Sequence, residues 1–220
     1  MDISVYYQDK SADNELFPKP TRALLVGGSG SGKTNLLMNL IYKEKGLSFK
    51  NLYVFSRSID QPSYNQLRQH YKKIEQTLGI SIACFISLCE DIIPVDQCEH
   101  NSLVIFDDCL LEKQTTIKDY FIRGRHKQIS CIYLTQSYSR IDMQVIRNNV
   151  NMLFIFQQNN YYTTKIYNDF VGSDMSLITF KKHCNECWKE PFGFITINTT
   201  RKPINGKYMC MLKKYIKIKN

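Results

Sequence analysis

The chain has 220 residues, of which 43% are hydrophobic and 12% aromatic. This length and composition suit one folded domain and exclude an intrinsically disordered protein. No apolar run approaches the ~20 residues of a membrane-spanning helix. The first twenty residues lack the basic start and apolar stretch of a secretory signal. We therefore expect a protein that is not secreted, has no membrane contact and keeps its eight cysteines reduced.

The formal net charge is +9, and it is unevenly distributed along the chain. Residues 90–112 contain seven acids and no Lys or Arg, whereas residues 201–220 contain seven bases and no acid. A basic tail of this kind is either a solvated surface or a contact for nucleic-acid phosphates, which requires cations but no particular base edges. The sequence alone leaves both interpretations open.

Apolar runs of strand length alternate with longer amphipathic stretches, after an N-terminal arm of residues 1–20. The alternation predicts an α/β fold, a mainly parallel sheet with helices on both faces, in one domain over residues 21–220. Within it, residues 192–220 are expected to form a late β-hairpin around Asn205-Gly206 and then the basic tail. The predicted strands are 23–26, 52–56, 80–85, 103–106, 129–134, 152–156, 192–198 and 207–212. The predicted helices are 33–45, 64–78, 115–123, 143–149 and 163–171.

The stretch from Gly27 to Thr34 matches the P-loop pattern G-x-x-x-x-G-K-[ST] in full. An apolar strand precedes it and a helical pattern follows it, as the motif requires. Its amides and the helix start can hold phosphate oxygens; Lys33 is expected to reach the β- and γ-phosphates, and Thr34 to ligate Mg²⁺. The predicted ATP-binding residues are Gly27, Gly28, Ser29, Gly30, Ser31, Gly32, Lys33, Thr34 and Asn35.

A second apolar strand, Leu103-Val104-Ile105-Phe106, ends in Asp107 and Asp108. In open α/β folds, ligands bind at the carboxyl ends of the parallel strands. We expect Asp107 to hold Mg²⁺ through water and Asp108 to polarise the attacking water. A strand followed by two acids is common and is weak evidence by itself. The support for this assignment comes from the position of the strand after the P-loop.

The next predicted strand ends in Thr135-Gln136-Ser137. A Gln at such a strand end can sense the γ-phosphate and orient the attacking water. Gln136 is therefore a candidate catalytic residue, although the same residues could also form an ordinary transition from strand to loop.

Three arginines, in a basic turn and in the segment after it, are candidates for stabilising transition-state charge. Arg123 and Arg125 belong to the turn Arg123-Gly124-Arg125-His126-Lys127, and Arg147 follows later. We expect their loops to lie at the phosphate-binding edge of the sheet, where an arginine can act within its own chain or on a neighbouring subunit. The alternative is a solvated or DNA-contacting turn.

Together these residues resemble the FtsK/HerA superfamily of P-loop motors. The resemblance is closest to the viral genome-packaging ATPases found in poxviruses, other large DNA viruses, virophages and polinton-like elements. The resemblance covers residues 22–156, and a weaker resemblance covers the segment WKEPFGF at residues 188–194. The matching segments are LLVGGSGSGKTNLL, LVIFDD, FIRGRHKQISCIYLTQSY and IRNNVNMLFIF.

This resemblance implies a RecA-like domain that uses ATP and Mg²⁺ to translocate double-stranded DNA as a ring, usually a hexamer, at a capsid portal. Lys33, Asp108 and Gln136 would then serve catalysis, and Arg125, Arg123 or Arg147 would act on the neighbouring subunit. It also implies a location inside the host cell, in a cytoplasmic virus factory or the nucleus, or with the virion. Asp108 replaces the Glu of many FtsK/HerA motors, a departure that the viral branch shares.

Two other functions fit a P-loop. A small-molecule kinase, for example one acting on nucleosides, usually has an Arg-rich lid and an acceptor pocket, whereas this sequence offers the basic turn and an acid-free tail. A nucleotide-binding scaffold without catalysis would not need Lys33, Thr34, Asp107 and Gln136 together.

One further motif, Cys184-x-x-Cys187 beside His183, has the spacing of half a zinc site. A structural zinc ion needs two more ligands, and the nearest cysteine, Cys210, lies 23 residues further along. A reduced thiol pair is the favoured interpretation.

Overall fold

The computed structural model describes residues 16–43, 46–87, 92–109, 114–140 and 143–218. These residues contain the following strands: β1 (Arg22–Val26), β2 (Asn51–Ser56), β3 (Ala83–Ile86), β4 (Ser102–Asp107), β5 (Ser130–Thr135), β6 (Met152–Phe156), β7 (Phe194–Asn198), β8 (Tyr208–Cys210) and β9 (Lys214–Tyr215). Their α-helices are α1 (Lys33–Tyr42), α2 (Pro62–Leu78), α3 (Gln114–Arg123), α4 (Met143–Asn149), α5 (Asn160–Ile166) and α6 (Leu177–Trp188).

All nine strands belong to one sheet, in the order β3-β2-β4-β5-β1-β6-β7-β8-β9. The first six strands in this order, β3, β2, β4, β5, β1 and β6, run parallel to one another. β7, β8 and β9 continue the sheet with antiparallel pairing. We call the edge where the parallel strands end the carboxyl edge, and the edge where they begin the amino edge. β1 lies between β5 and β6, so the loop that leaves β1 emerges in the middle of the carboxyl edge.

Each central strand is apolar on both sides because helices cover both faces of the sheet. Ala23 and Leu25 belong to a core cluster with α1 and α2, whereas Leu24 and Val26 belong to a second cluster with α3, α4, α5 and α6. All four side chains are fully buried. The predicted α/β architecture with helices on both faces is therefore confirmed.

The predicted elements differ from the structure mainly at their ends. β3 begins at Ala83 rather than at residue 80, because the Glu75 carboxylate accepts hydrogen bonds from the backbone N–H groups of Ile82 and Ala83, at 2.7 and 2.9 Å. α5 begins three residues earlier than predicted, since the Asn159 side chain caps it by accepting from the Tyr162 N–H at 2.9 Å. Residues 44–45 of the first predicted helix, and residues 1–15 of the predicted arm, lie outside the described residues.

α6 and β9 are present in the structure but were not predicted from the sequence. α6 buries Phe180, Cys184 and Cys187, which lie on one helical face, but its many polar residues make that stripe narrow. β7 and β8 pair antiparallel in the region of the predicted late hairpin. Residues 199–207 connect them, and Gly206 lies in this connection with a φ of 87°. Within the described residues, no helix is long and apolar enough to cross a membrane.

Candidate nucleotide site

The loop between β1 and α1 has the conformation that its glycines permit. Gly30 and Gly32 have φ angles of 71° and 102°, in the left-handed region that favours glycine. A Cβ on Gly27 would lie 2.6 Å from Ser31 Oγ and 2.7 Å from Phe156 Cβ, so that position has no room for a side chain. The loop therefore wraps tightly over the carboxyl end of β1.

Lys33 folds back over this loop. Its Nζ donates hydrogen bonds to the carbonyl oxygens of Gly27 and Gly28, at 2.7 and 2.8 Å. Burial lowers the pKa of Lys33, an effect that the nearby carboxylates of Asp107 and Asp108 oppose. The ammonium group thus lies between the loop and the acids at the end of β4.

The loop also holds an unsatisfied polar atom. Among the described residues, Ser31 Oγ is the one buried side-chain oxygen or nitrogen without a hydrogen-bond partner. Such a group carries a desolvation cost unless a partner is supplied. A phosphate oxygen would accept its hydrogen bond, so the loop fits the phosphates of a nucleotide.

Asp107, the last residue of β4, is held by two side chains from the start of α2. Tyr64 donates its hydroxyl to Asp107 Oδ2 at 2.7 Å, and Gln61 Nε2 donates to the same oxygen at 3.5 Å. Burial raises the pKa of Asp107, although the Tyr64 hydrogen bond and Lys33 act in the opposite direction. Burial, together with the charge of Asp107, raises the pKa of Tyr64 well above its ordinary value, which keeps the phenol a donor.

The three predicted motifs meet around one cavity of about 370 Å³ at the carboxyl edge. Asp108 is exposed, with a φ of 57°, and Gln136 is exposed directly after β5. The hydroxyl of Thr34 and the carboxylate oxygens of Asp107 are hard ligands of the type that Mg²⁺ prefers. The predicted site residues that line the cavity are Ser29, Gly30, Ser31, Gly32, Lys33, Thr34, Asn35, Asp107, Asp108 and Gln136.

Three residues of this site were not predicted from the sequence: Gln61, Tyr64 and Phe192. Gln61 and Phe192 line the cavity, and Tyr64 supports Asp107 from behind. The first two lie on α2 or just before it, where nothing in the sequence marks them as neighbours of β4. The WKEPFGF segment, with its echo of the packaging ATPases, was the available signal for Phe192.

The basic turn does not lie where we expected. Residues 124–127 form a 3-10 turn just before β5, and the Asn101 N–H, just before β4, donates to the Lys127 carbonyl at 3.0 Å. The turn therefore lies at the amino edge, because α3 carries the chain back across the sheet. The expectation that Arg123 and Arg125 lie at the phosphate-binding edge was wrong.

The three candidate arginines have different surroundings. Arg123 donates to both carboxylate oxygens of Asp96 at 2.7 Å, whereas Arg125 is exposed. Arg147 is paired with Asp169 and lies over the ring of Tyr138, with 5.7 Å from its guanidinium carbon to the ring centroid. None of the three arginines lines the nucleotide cavity.

Cys184 and Cys187 lie on the buried face of α6. Burial raises the pKa of Cys184 to about 12, so its thiol stays protonated. In the part of the chain that the structure describes, no group of three or more His, Cys, Asp or Glu side chains is arranged to hold a metal ion. These thiols are packing groups of the core.

The chain matches the protein family described as Poxvirus A32 protein over residues 8–183. It is 30% identical over 145 residues to the DNA packaging protein OPG160 of Vaccinia virus (strain Copenhagen), and equally to the proteins of that name from Monkeypox virus and Variola virus. The match covers 61% of this chain and 53% of the Vaccinia protein. The chain thus spans about half the length of these curated relatives.

The fold is similar to that of the genome packaging NTPase B204 from Sulfolobus turreted icosahedral virus 2. Its complex with sulfate gives a TM-score of 0.57 at 12% identity, covering 91% of this chain and 100% of that one. Its complex with ATP-gammaS gives 0.55 at 10% identity, covering 90% and 100%. At these identities the likeness establishes the fold.

Proposed function

This chain belongs to the Poxvirus A32 protein family, and from that premise we propose that it is a Mg²⁺-dependent ATPase that drives double-stranded DNA into a viral capsid. Its curated relatives are named DNA packaging proteins, and the similar solved structures are genome packaging NTPases. Because the chain spans about half the length of those relatives, support for the activity must come from its own residues.

The observation that carries the proposal is the meeting of three strand ends around one cavity. Lys33 comes after β1, and Gln136 follows β5. Asp107 is the last residue of β4, and Asp108 follows it. β5 pairs with both β1 and β4, so the sheet itself brings these side chains together. A phosphate-binding loop next to paired carboxylates and a polar sensor is the arrangement that ATP hydrolysis requires.

Phosphate binding would use the amides of residues 27–32 and the start of α1. Lys33 would exchange the carbonyls of Gly27 and Gly28 for phosphate oxygens, since hydrogen bonds between charged groups are the stronger ones. Ser31 Oγ would gain the partner that it lacks. Thr34 and, through water, Asp107 would hold Mg²⁺, which neutralises part of the phosphate charge when bound.

Hydrolysis would depend on Asp108 and Gln136, which are exposed and line the cavity. Asp108 would accept a hydrogen bond from the attacking water and polarise it, and Gln136 would orient the same water toward the γ-phosphate. Tyr64 and Gln61 would keep Asp107 aimed at the metal, because both donate to its Oδ2.

The proposed assembly is a head-to-tail ring, most simply a hexamer. In such a ring, one surface of each subunit contacts a different surface of the next. The amino edge of one subunit could then face the nucleotide of its neighbour, and this gives the exposed Arg125 a route to a site that it cannot reach within its own chain. Arg123 is the second candidate, because it must first leave Asp96, and Arg147 is the third.

The proposed partners are double-stranded DNA, further copies of the chain, and a capsid or portal protein. The proposed location is inside the host cell, in a virus factory or the nucleus, or with the virion. DNA contacts would rest on exposed Lys and Arg side chains and would be independent of base sequence. The relatives and solved structures named above are packaging proteins, and they give the kinase alternative no support.

The test is the rate of ATP hydrolysis with and without double-stranded DNA, measured beside the native mass of the assembly. A DNA-stimulated, Mg²⁺-dependent rate in a ring-sized assembly is the expected result. Phosphate transfer to a nucleoside, with no stimulation by DNA, would instead support a kinase.

A further inference from the structure

An aromatic side chain stands at the nucleotide cavity without a role in the chemistry described above. Phe192 is 55% exposed and lines the cavity. Its φ of 58° is in the left-handed region, which is unusual for a bulky residue and costs free energy. None of the other large, exposed hydrophobic side chains among the described residues lines this cavity.

Phe192 packs against the phosphate-binding loop at one point. A Cβ on Gly32 would lie 3.0 Å from Phe192 Cβ and 3.2 Å from its Cδ1, so the absence of a side chain at Gly32 allows this approach. One side of the phenyl group therefore rests on the loop, and the rest of the ring is open to the cavity.

The segment that carries Phe192 is anchored on both sides. Before it, Trp188 Nε1 donates to the Ile155 carbonyl at 3.0 Å, which ties the end of α6 to β6. After it, the Gly193 N–H donates to the Glu190 carbonyl at 2.9 Å, and the Phe194 carbonyl accepts from Met211 N–H at 2.8 Å. The ring is thus presented by a fixed turn.

The order of the strands tells which part of a nucleotide would meet this ring. Asp107 ends β4, Asp108 follows it and Gln136 follows β5. Both strands lie on one side of β1, so the γ-phosphate must point to that side. Phe192 precedes β7, which lies two strands from β1 on the opposite side. A bound nucleoside triphosphate is elongated, so its nucleoside end extends toward β7.

We propose that Phe192 forms a base subsite, in which the nucleobase of a nucleoside triphosphate stacks on its phenyl ring. The inference rests on the proposed function, because the triphosphate must occupy the loop for the base to reach the ring. A phenyl ring offers a π-face but no hydrogen-bond donor or acceptor. Stacking of this kind is tolerant of base identity, so the subsite binds ATP and GTP with similar strength.

The experiment compares two ligands that share the phosphates and differ in the base: MgATP and magnesium tripolyphosphate, titrated by calorimetry against the full chain. Phe192→Gly removes the ring and leaves the left-handed backbone unstrained. It is expected to weaken MgATP binding about 5- to 150-fold, the range for loss of one stacked base, while tripolyphosphate binding stays within about twofold. Phe192→Tyr should bind both ligands as the parent does.

Ile178→Ala is the matched control, because it removes another exposed apolar side chain, 82% exposed and away from the cavity. Should Phe192→Gly lower the melting temperature, Phe192→Leu, which keeps apolar volume at the loop, is expected to show the same selective loss. Unchanged ATP affinity, or equal weakening of both ligands, would overturn the base subsite. Failure of the parent chain to bind either ligand would instead overturn the nucleotide site, and the subsite with it.

Discussion

The two edges of the parallel sheet carry different kinds of charged group. At the carboxyl edge, Lys33 and Asp107 are partly buried, opposite in sign and close enough to shift each other's pKa. At the amino edge, many cations are exposed, and they come from segments far apart in the chain. Among the described residues, the exposed Lys and Arg side chains there include Lys50, Arg123, Arg125 and Lys202.

The difference indicates a division of work between the edges. Groups in a cavity that shift each other's pKa are suited to binding and chemistry. Exposed cations are suited to long-range attraction and to contacts with a partner. Asp96 pairs with Arg123, so the amino edge is not uniformly positive. We therefore expect variants at the carboxyl edge to impair the subunit's own nucleotide site, and variants at the amino edge to impair its action on a partner.

The largest expected effect is at the carboxyl edge. Lys33→Ala should reduce ATP hydrolysis to background, because the ammonium that would contact the β- and γ-phosphates is removed. Circular dichroism should show an unchanged fold, since Lys33 bonds only to loop carbonyls in the absence of phosphate. Near-normal hydrolysis by a folded Lys33→Ala protein would contradict the assignment of the nucleotide site.

At the amino edge, Arg125→Ala should bind ATP normally and hydrolyse it about 10³–10⁵-fold more slowly, the range for an arginine supplied by a neighbour. A mixture of Arg125→Ala and Lys33→Ala proteins should recover activity that neither shows alone. In mixed rings, some interfaces join an intact loop from one variant to an intact arginine from the other.

Arg123→Ala is the control for this experiment, because it changes the charge of the same turn at a residue already paired with Asp96. If subunit exchange is confirmed by mass and no mixture recovers activity, Arg125 does not act between subunits. Recovery by Arg123→Ala in place of Arg125→Ala would move the assignment to Arg123.

The contrast between the edges also explains how far the sequence could predict the site. Lys33 and Thr34 belong to one contiguous motif, and Asp107 and Gln136 end strands whose apolar runs are evident, so the parallel sheet brings them together. Tyr64 and Phe192 reach the site only through the packing of α2 and the position of β7 two strands from β1, which local patterns do not encode.

The misplaced basic turn has a different origin. The predicted helix 115–123 already ends at Arg123, and the next predicted strand begins at residue 129, so the turn between them has to precede a strand. α3 occupies residues up to Arg123, so the turn follows the crossing and lies at the amino edge. The observed α3 has ten residues and spans about 15 Å, which is enough to carry the chain back to the amino edge.

A smaller effect concerns the basic tail, where the surface and DNA-contact interpretations remain to be separated. Deleting residues 213–220 should flatten the dependence of DNA affinity on salt, but it would also remove β9. Replacing Lys214 and Lys217 with Gln is cleaner, and it should reduce the slope of log affinity against log salt by about 0.9 for each phosphate that the chain no longer neutralises.

The control is the pair Lys72→Gln and Lys73→Gln, which removes the same charge from two exposed positions on α2. Filter binding across a salt series measures the slopes. Equal slopes for both double variants would show that the tail is a solvated surface.

The smallest expected effect is a change in stability at the carboxyl edge. Burial raises the pKa of Asp107 above its ordinary 3.8, so the folded chain favours the protonated acid. The resulting stability is present below the unfolded-state pKa and is lost as pH rises through the folded-state pKa. Asp107→Asn, which cannot ionise, should therefore raise the melting temperature at pH 7 relative to the parent, in the absence of nucleotide and metal.

At a pH below the unfolded-state pKa of Asp107, both proteins carry a neutral side chain at this position, so the difference should vanish. Tyr64→Phe should act in the opposite direction at pH 7, because it removes the 2.7 Å hydrogen bond to the buried carboxylate. Loss of a hydrogen bond to a charged group costs about 1.5–3 kcal/mol, or about 3–12 °C of melting temperature in a chain of this size. Melting curves of the parent, Asp107→Asn and Tyr64→Phe proteins across this pH range measure both shifts in melting temperature. If Asp107→Asn follows the parent at every pH, the carboxylate is not destabilised by burial, and the cation at Lys33 fully compensates it before any nucleotide binds.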